Sequence, residues 1–424
     1  MKFFKPFESP VAPIFPDKDF NIIDFGAKQG KENTIKEPLA RAIAECSAKG
    51  GGRVVIPEGN WFTGGPIHLK SNVNLHIAEG AVVEFSTDFN DYLPVVFGLV
   101  QGIRAYTASH FIYAFECENI AVTGKGILNG HGEAWWPESY SQPGLIDMRE
   151  KGRNLVPVNQ RVYDKREDGV RPRFLQFVSC KNILIEDVTI INSPAWNVHN
   201  VYCENITVRN LIIENDIYSM NTDGVNLESC KRGLVENCEI TSGDDMCCIK
   251  AGRDNDAWEV GIPCEDIEIR NCYGKHCRCG GITIGSETSA SIRNIWIHDC
   301  KIDKANTVIN FKTIKGRGGV IENIDFDNIH AGETTKSGVR ITMKYDHSAG
   351  EELVGKEENF PEVRNISVSN ITCKECPEAL AIIGVKDHEM ENIELSNIKI
   401  YETGNSIIEN VKNLSFSNVS ISKV

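Results

Sequence analysis

The sequence predicts an all-β fold: a single parallel β-helix of about ten coils with a helical cap at its N-terminal end. Three observations carry that prediction. One phrase recurs, consisting of an Asn or Asp, an alternation of apolar and polar residues, a second Asn or Gly, and another short alternation. It reads CENIAVTGKGILNG at 117–130, CKNILIEDVTIINSP at 180–194, CENITVRNLIIEN at 203–215, CKRGLVENCEITSG at 230–243 and CEDIEIRNCYGK at 264–275, with five further copies downstream. The phase positions Asn182, Asn205, Gly233, Asp266, Asn294, Asn323, Asn365, Asn392 and Asn413 lie 21 to 42 residues apart. Every copy alternates with period two, so the units are short stacked strands joined by loops of unequal length. A leucine-rich repeat would carry its own Leu pattern and a propeller four strands per blade, and neither occurs. Coils stack about 4.8 Å apart, so the repeated Asn and Cys residues are expected to form internal ladders.

The elements follow in order. Residues 1–19 read as an N-terminal extension whose opening, MKFFKPFESPVAPIFP, lacks the continuous apolar core of a secretory signal. Residues 20–424 read as one β-helix domain. Its cap is an amphipathic helix at about 37–50, with Leu39, Ile43 and Cys46 on one face and Gly50, Gly51 and Gly52 as the stop. Two charged stretches, 138–173 and 344–362, break the repeat. Long insertions on one side of a solenoid build its binding face, the alternative being solvated loops. The last repeat ends on ISKV without a cap, an open edge for which a second copy of the chain is one expected cover.

Composition limits the partners. The 424 residues are 41% hydrophobic and 25% charged, with a net charge of -14. That balance argues against nucleic acid or an anionic membrane, although a local Lys/Arg cluster can still hold an acidic substrate. No run of 18 apolar residues occurs. Fifteen cysteines, an odd number recurring at one repeat phase, read as reduced core residues of a cytoplasmic protein. A form preceded by an export signal would be secreted or periplasmic instead.

The chemistry concentrates between Asn221 and Lys312. Asp223 precedes Asp244 and Asp245 by 21 and 22 residues, about one coil, so three carboxylates are expected to share one patch. Crowded like charges make at least one acid hard to ionise, which sets a general acid beside a general base. The inward apolar pairs Val225/Leu227, Cys247/Ile249, Ile282/Ile284, Ile309/Phe311 and Val339/Ile341 fix a register. In that register Asp223 is level with Asp245, while Asp244 has the opposite parity. The outward rows then read Asn226, Cys248, Thr283, Asn310, Arg340 and Glu228, Lys250, Gly285, Lys312, Thr342. Lys250 and Lys312 fall in one row two coils apart, a cradle for the carboxylate of an acidic sugar.

Five stretches, NSPAWNVH (192–199), NTDG (221–224), GDDMCCIK (243–250), GGITIGSE (280–287) and KTIKGRGG (312–319), resemble in that order the polygalacturonase family, glycoside hydrolase family 28. The resemblance runs from about residue 20 to the C-terminus. It implies a right-handed β-helix that hydrolyses α-linked galacturonic acid or related pectic bonds with inversion, without metal or organic cofactor. Asp244 would be the general acid, and Asp223 with Asp245 would activate the water. Asn221 and His199, within two of these stretches, would belong to the substrate-binding side.

Two positions depart from the family pattern. Cys279 stands where the family carries a histidine, with His276 three residues away, and Asn310-Phe311-Lys312 replaces an Arg-Ile-Lys motif. In the register above, Arg340 on the next coil is expected to supply the missing second cation beside Lys312 and Lys250. The leading expectation is exo-action on a short pectin-derived oligosaccharide. Cleavage of a rhamnogalacturonan-type or otherwise modified pectic bond, and a non-catalytic carbohydrate-binding β-helix, are the alternatives. A zinc site from Cys264, Cys272, His276, Cys277 and Cys279 is a further alternative, but their spacing matches no usual knuckle pattern.

Overall fold

Parallel pairing repeats through the whole chain of this computed structural model, which describes residues 2–345 and 359–423. Most of the second expected rim stretch, 346–358, therefore lies outside the described residues. The chain winds as a right-handed parallel β-helix whose strands fall into three hydrogen-bonded columns. The first runs through Lys181–Glu186, Glu204–Arg209 and Lys231–Glu236. The second includes Thr189–Ile191, Ile212–Glu214 and Glu239–Ser242. The third includes Val198–Val201, Val225–Glu228 and Cys247–Lys250.

Thirteen strands pair successively in the first column, from Asp19–Asn21 to Val411–Lys423. The expected ten coils are exceeded because Asp19–Asn21, Gly52–Ile56 and Val73–Ile77 lie before the recognisable phrase begins.

The ladders explain why the phrase recurs. Asn119 Nδ2 donates to Asn72 Oδ1 at 2.9 Å, Asn182 to Asn119 at 2.9 Å and Asn205 to Asn182 at 3.0 Å. Each of these residues has positive φ, 54° at Asn182 and 57° at Asn205, a conformation that Asn tolerates far better than other non-glycine residues. Gly233 corrects the sequence phasing. It pairs with Ile206, so the ladder position is Arg232, with φ of 54° and Nε donating to Asn205 Oδ1 at 2.8 Å. Inward residues such as Val208, Val235 and Ile269 are fully buried. All fifteen cysteines are unpaired, and fourteen are buried.

Helix α1, Lys36–Ala48, closes the N-terminal end with Leu39, Ala42, Ile43 and Cys46 inward. Gly50, at φ 89°, ends it. The extension before it lies along the outside of the first column. Phe3 N and Phe4 N each donate to an Asp325 carboxylate oxygen at 3.0 Å, and the Phe4 ring stacks on Trp296 at 5.2 Å.

The first rim stretch is ordered rather than solvated. Helix α2, Pro143–Arg153, packs with the hairpin Val96–Val100/Ile103–Thr107 around a small core of Val100, Ile103, Leu145, Met148 and Tyr163. A third helix, α3, Asp254–Val260, is tied to it by the buried Arg161–Asp256 pair at 2.7 Å. The hairpin and α3 were not legible as elements in the repeat pattern.

Asn182→Ala removes two ladder bonds and leaves a Cβ-bearing residue in the left-handed region. The expected loss is about 1–3 kcal/mol, read as a lower melting temperature, with Asn182→Gly losing less because glycine accepts the conformation. Equal melting temperatures for Asn182→Ala and wild type would refute the ladder's contribution.

Candidate active site

Successive turns between the second and third columns carry the predicted acids. Gly224 N donates to Asp245 O and Val225 N to Met246 O, each at 3.0 Å, so Asp223 is level with Asp245. The floor strands pair Asn226 with Cys248, Glu228 with Lys250, Thr283 with Asn310 and Asn310 with Arg340, matching the register read from the apolar pairs.

One oxygen each of Asp223 and Asp245 and the Cys248 sulfur lie within 4.8 Å of one another. Lys312 Nζ donates to Asp245 Oδ2 at 2.7 Å, and Gly280 N donates to Asp245 Oδ1 at 2.5 Å. A Cβ at Gly280 would stand 2.7 Å from that oxygen and 2.2 Å from Thr283 Oγ1, so only glycine lets the backbone approach. Lys250 Nζ is 4.0 Å from Asp223 Oδ2 and donates to Glu287 Oε2 at 2.9 Å.

Asp244 is held separately. Its carboxylate accepts from Asn221 Nδ2 at 3.4 Å and meets the Cys279 thiol, and its carbonyl accepts from Cys279 N at 3.2 Å. Arg171 orients Asn221 by donating to Oδ1 at 2.7 Å.

These surroundings separate the three acids. Burial, then the charge of Asp244, pushes Asp223 well above the carboxylate range. Burial and Asp245 raise Asp244 as well. Burial acts the same way on Asp245, but Lys312 and Lys250 outweigh it and hold that group below its usual value. Asp245 thus favours the anion, while Asp223 and Asp244 are shifted toward the proton-bearing form.

The pocket is lined by Asp223, Asp244, Asp245 and Glu287 and by Arg149, Lys250, Arg253 and Lys312, among others. Four acids face four cations, and the upward shifts of Asp223 and Asp244 tip the balance toward positive charge, which suits an anionic ligand. Among the described residues, Asp223, Asp245 and Cys248 form the one group with metal-ligand spacing, and Lys312 and Lys250 already stand beside its carboxylates. The residues Cys264, Cys272, His276, Cys277 and Cys279 do not converge on one point.

The structure brings together Asn221, Asp223, Asp244, Asp245, Lys250 and Lys312, and sets Cys279 against Asp244. Three expectations give way. His199 is completely buried, with Nδ1 toward Gln176 Nε2 at 2.7 Å and Nε2 toward Glu228 Oε2 at 2.8 Å. It touches the site only through the Trp196 ring, 4.7 Å away edge-on. Its parity is outward, but the hairpin covers the column there, with Leu99 bonded to Gln176. Asn310, also buried, sits on the floor without lining the pocket. Arg340 occupies the predicted row, but its guanidinium turns to Glu378 at 3.1 Å and contributes no cation to the pocket.

The cations that do contribute, Arg149 from α2 and Arg253 at the start of α3, come from elements outside the repeat. Trp196 lies within the NSPAWNVH stretch and Glu287 within GGITIGSE, so both sat inside motifs whose individual residues were not singled out. Trp196 meets two cations, with Lys250 Nζ 4.7 Å and the Arg173 guanidinium 4.8 Å from its ring centroid.

A parallel β-helix that sets carboxyls of raised pKa beside one of lowered pKa in a pocket lined by cations defines a solenoid acid–base enzyme. The family model "Glycosyl hydrolases family 28" matches residues 46–421. The chain belongs to that family.

A crystal structure of a hyperthermoactive exopolygalacturonase from Thermotoga maritima is similar at 34% identity and a TM-score of 0.91, covering 98% of this chain and 94% of that one. A probable polygalacturonase of Vitis vinifera is 26% identical over 90% of this chain and 74% of its own length. An exo-poly-α-D-galacturonosidase of Dickeya chrysanthemi is 23% identical over 96% and 71% respectively.

With Asp245 as the working anion, activity is expected to rise as pH climbs through its pKa. Lys312→Met removes the cation that holds this pKa down, and the acid limb of the pH–kcat profile is expected to move up by about 1–3 units. An acid limb that stays in place would remove Lys312 from this role.

Proposed function

We propose that the protein hydrolyses α-linked galacturonic acid from the end of pectin-derived oligosaccharides, with inversion at the anomeric carbon. The observation that carries this reading is the division of the acids: Asp223 and Asp245 converge on one point, and Asp244 is held apart by Asn221 and Cys279.

Inversion needs an acid on one side of the glycosidic bond and a base with a water on the other. Asp244 gives its proton to the leaving oxygen. Asp245 takes a proton from water as that water attacks the anomeric carbon, and Asp223, carrying its own proton, orients the water. Lys250, Lys312 and the arginines from the rim meet the uronate carboxylates, charge-assisted contacts contributing about 1.5–3 kcal/mol each.

End-wise action is supported by the rim. Arg149 of helix α2 and the hairpin residue Gln101, bonded to each other and Gln101 to Arg253, line one side of the pocket, a wall that favours a pocket over an open groove. The similarity to a solved exopolygalacturonase over nearly the whole of both chains points the same way. The unpaired thiols support placing this activity in the reducing cytoplasm. Exposed Ile407, Ile408 and Phe416 on the final coils support self-association there, which light scattering tests through Phe416→Lys.

Asp244→Asn keeps size but removes the transferable proton, and kcat on trigalacturonate is expected to fall by about 10²–10⁴ with the melting temperature unchanged. Proton NMR of the first-formed product should show the β anomer, and chromatography should show monogalacturonate as the earliest product. Full activity in Asp244→Asn, or an α product, would overturn the roles assigned here.

A further inference from the structure

Cys248 stands on the floor strand Cys247–Lys250, in the outward row between Asn226 and Thr283. It is 1% exposed, and its sulfur lies 3.4 Å from Asp223 Oδ2 and 3.4 Å from Asp245 Oδ2. The ladder thiols behave differently. Cys203 donates to the carbonyls of Val201 and Phe177 at 3.2 and 3.3 Å, and Cys230 to that of Asn200 at 3.2 Å. Their partners are backbone, whereas those of Cys248 are two acids of the catalytic pocket.

The two carboxylates are supported unequally. Asp245 has Lys312 Nζ at 2.7 Å and Gly280 N at 2.5 Å. Asp223 is 2% exposed, its Oδ1 makes no hydrogen bond among the described residues, and Lys250 stands 4.0 Å from its Oδ2 while bonded to Glu287. With Asp223 holding its proton, the charge of the pair rests on Asp245 and the two Oδ2 atoms still need a donor between them. The thiol of Cys248 is the nearest donor to Asp223 and reaches Asp245 at the same distance.

We propose that Cys248 is a positioning residue whose S–H bridges Asp223 and Asp245 and keeps their oxygens converged on the attacking water. The bridge rests on the acid and base roles assigned above. Burial and the charge of Asp245 push the thiol well above its ordinary value, so it remains a donor throughout the working pH range. The charged groups facing it are Asp223, Asp245, Lys250 and Lys312. A thiol has one proton to give, so the bond favours whichever carboxylate carries the charge. Losing it removes a hydrogen bond that favours the charged form of Asp245 and so raises the pH at which Asp245 ionises.

The test measures kcat and KM across pH for the full-length protein, Cys248→Ala, Cys248→Ser and the ladder control Cys203→Ala. Cys248→Ala is expected to lower kcat roughly ten- to hundredfold, with KM changed by less than about threefold, and to move the acid limb to higher pH. Cys248→Ser, which keeps a donor, is expected to restore most of kcat and the position of the limb, and Cys203→Ala to leave both as in wild type. Unchanged kcat in Cys248→Ala overturns the proposal. So does an equal loss in Ala and Ser with the wild-type pH profile, which is the signature of packing alone.

If Cys248→Ala does not fold, infrared spectroscopy of the S–H stretch in wild type decides. A band absent from Cys248→Ser and displaced in Asp245→Asn is expected, and a band indifferent to Asp245→Asn overturns the bridge. Measured alongside, full activity in Asp245→Asn would remove the functional reading itself, whereas loss there with none in Cys248→Ala removes only the thiol's part.

Discussion

The backbone bond from Gly224 N to Asp245 O, 3.0 Å long, is the constraint on which the catalytic chemistry depends. It belongs to the ladder that spaces every coil about 4.8 Å from the next. Because that spacing is fixed by peptide hydrogen bonds, two acids separated by one coil in sequence are placed side by side, their carboxylates within 4.8 Å. The repulsion is built into the backbone. The side chains around it have only to decide where protons reside, and the lysines of alternate coils, Lys250 and Lys312, do that by standing in the same row.

The pocket then shows a division of labour between repeat and insertion. The repeat supplies the acids, on the turns that lead into the floor strands, and the floor with its two lysines, on strands with buried apolar residues on their other face. The insertions supply a wall and the arginines. Elements held in the continuous parallel ladder of the third column resist displacement, whereas the rim rests on its own small core and on the Arg161–Asp256 pair. Changes in what the pocket accepts therefore have an obvious place to occur without disturbing the proton chemistry. The thiols at Cys248 and Cys279 complement this arrangement, each touching a different part of the acid cluster.

Much of this was legible in the chain. The floor register could be read from Val225/Leu227, Cys247/Ile249 and their successors because a strand buried on one face has only one parity that keeps its apolar residues inside. The level placement of Asp223 with Asp245 followed from it. Other features were hidden for physical reasons. Arg340 is in the right row, but a row does not specify which way a long side chain turns, and Glu378 on the following coil competes for it. His199 has outward parity, yet parity describes the strand and not what a distant hairpin lays over it. Arg232 escaped notice because a ladder position is recognised by residue type, and here an arginine fills a site that asparagine holds elsewhere. Helices α2 and α3 lie in non-repeating sequence, where the phase of the solenoid has no bearing.

The strand of chain before α1 alters how such a molecule comes apart. A solenoid has nearest-neighbour contacts only, so its terminal turns ordinarily peel away one at a time. Here residues 3 and 4 are bonded to Asp325 and stacked on Trp296, while residues 19–21 pair with the second rung at 53–55. The segment between them spans the coils that carry Asp223, Asp244 and Asp245 like a clasp fastened at both ends. Loosening the N-terminal turn therefore requires either leaving this clasp slack or undoing its far attachment, which joins local fraying at one end to the integrity of distant coils.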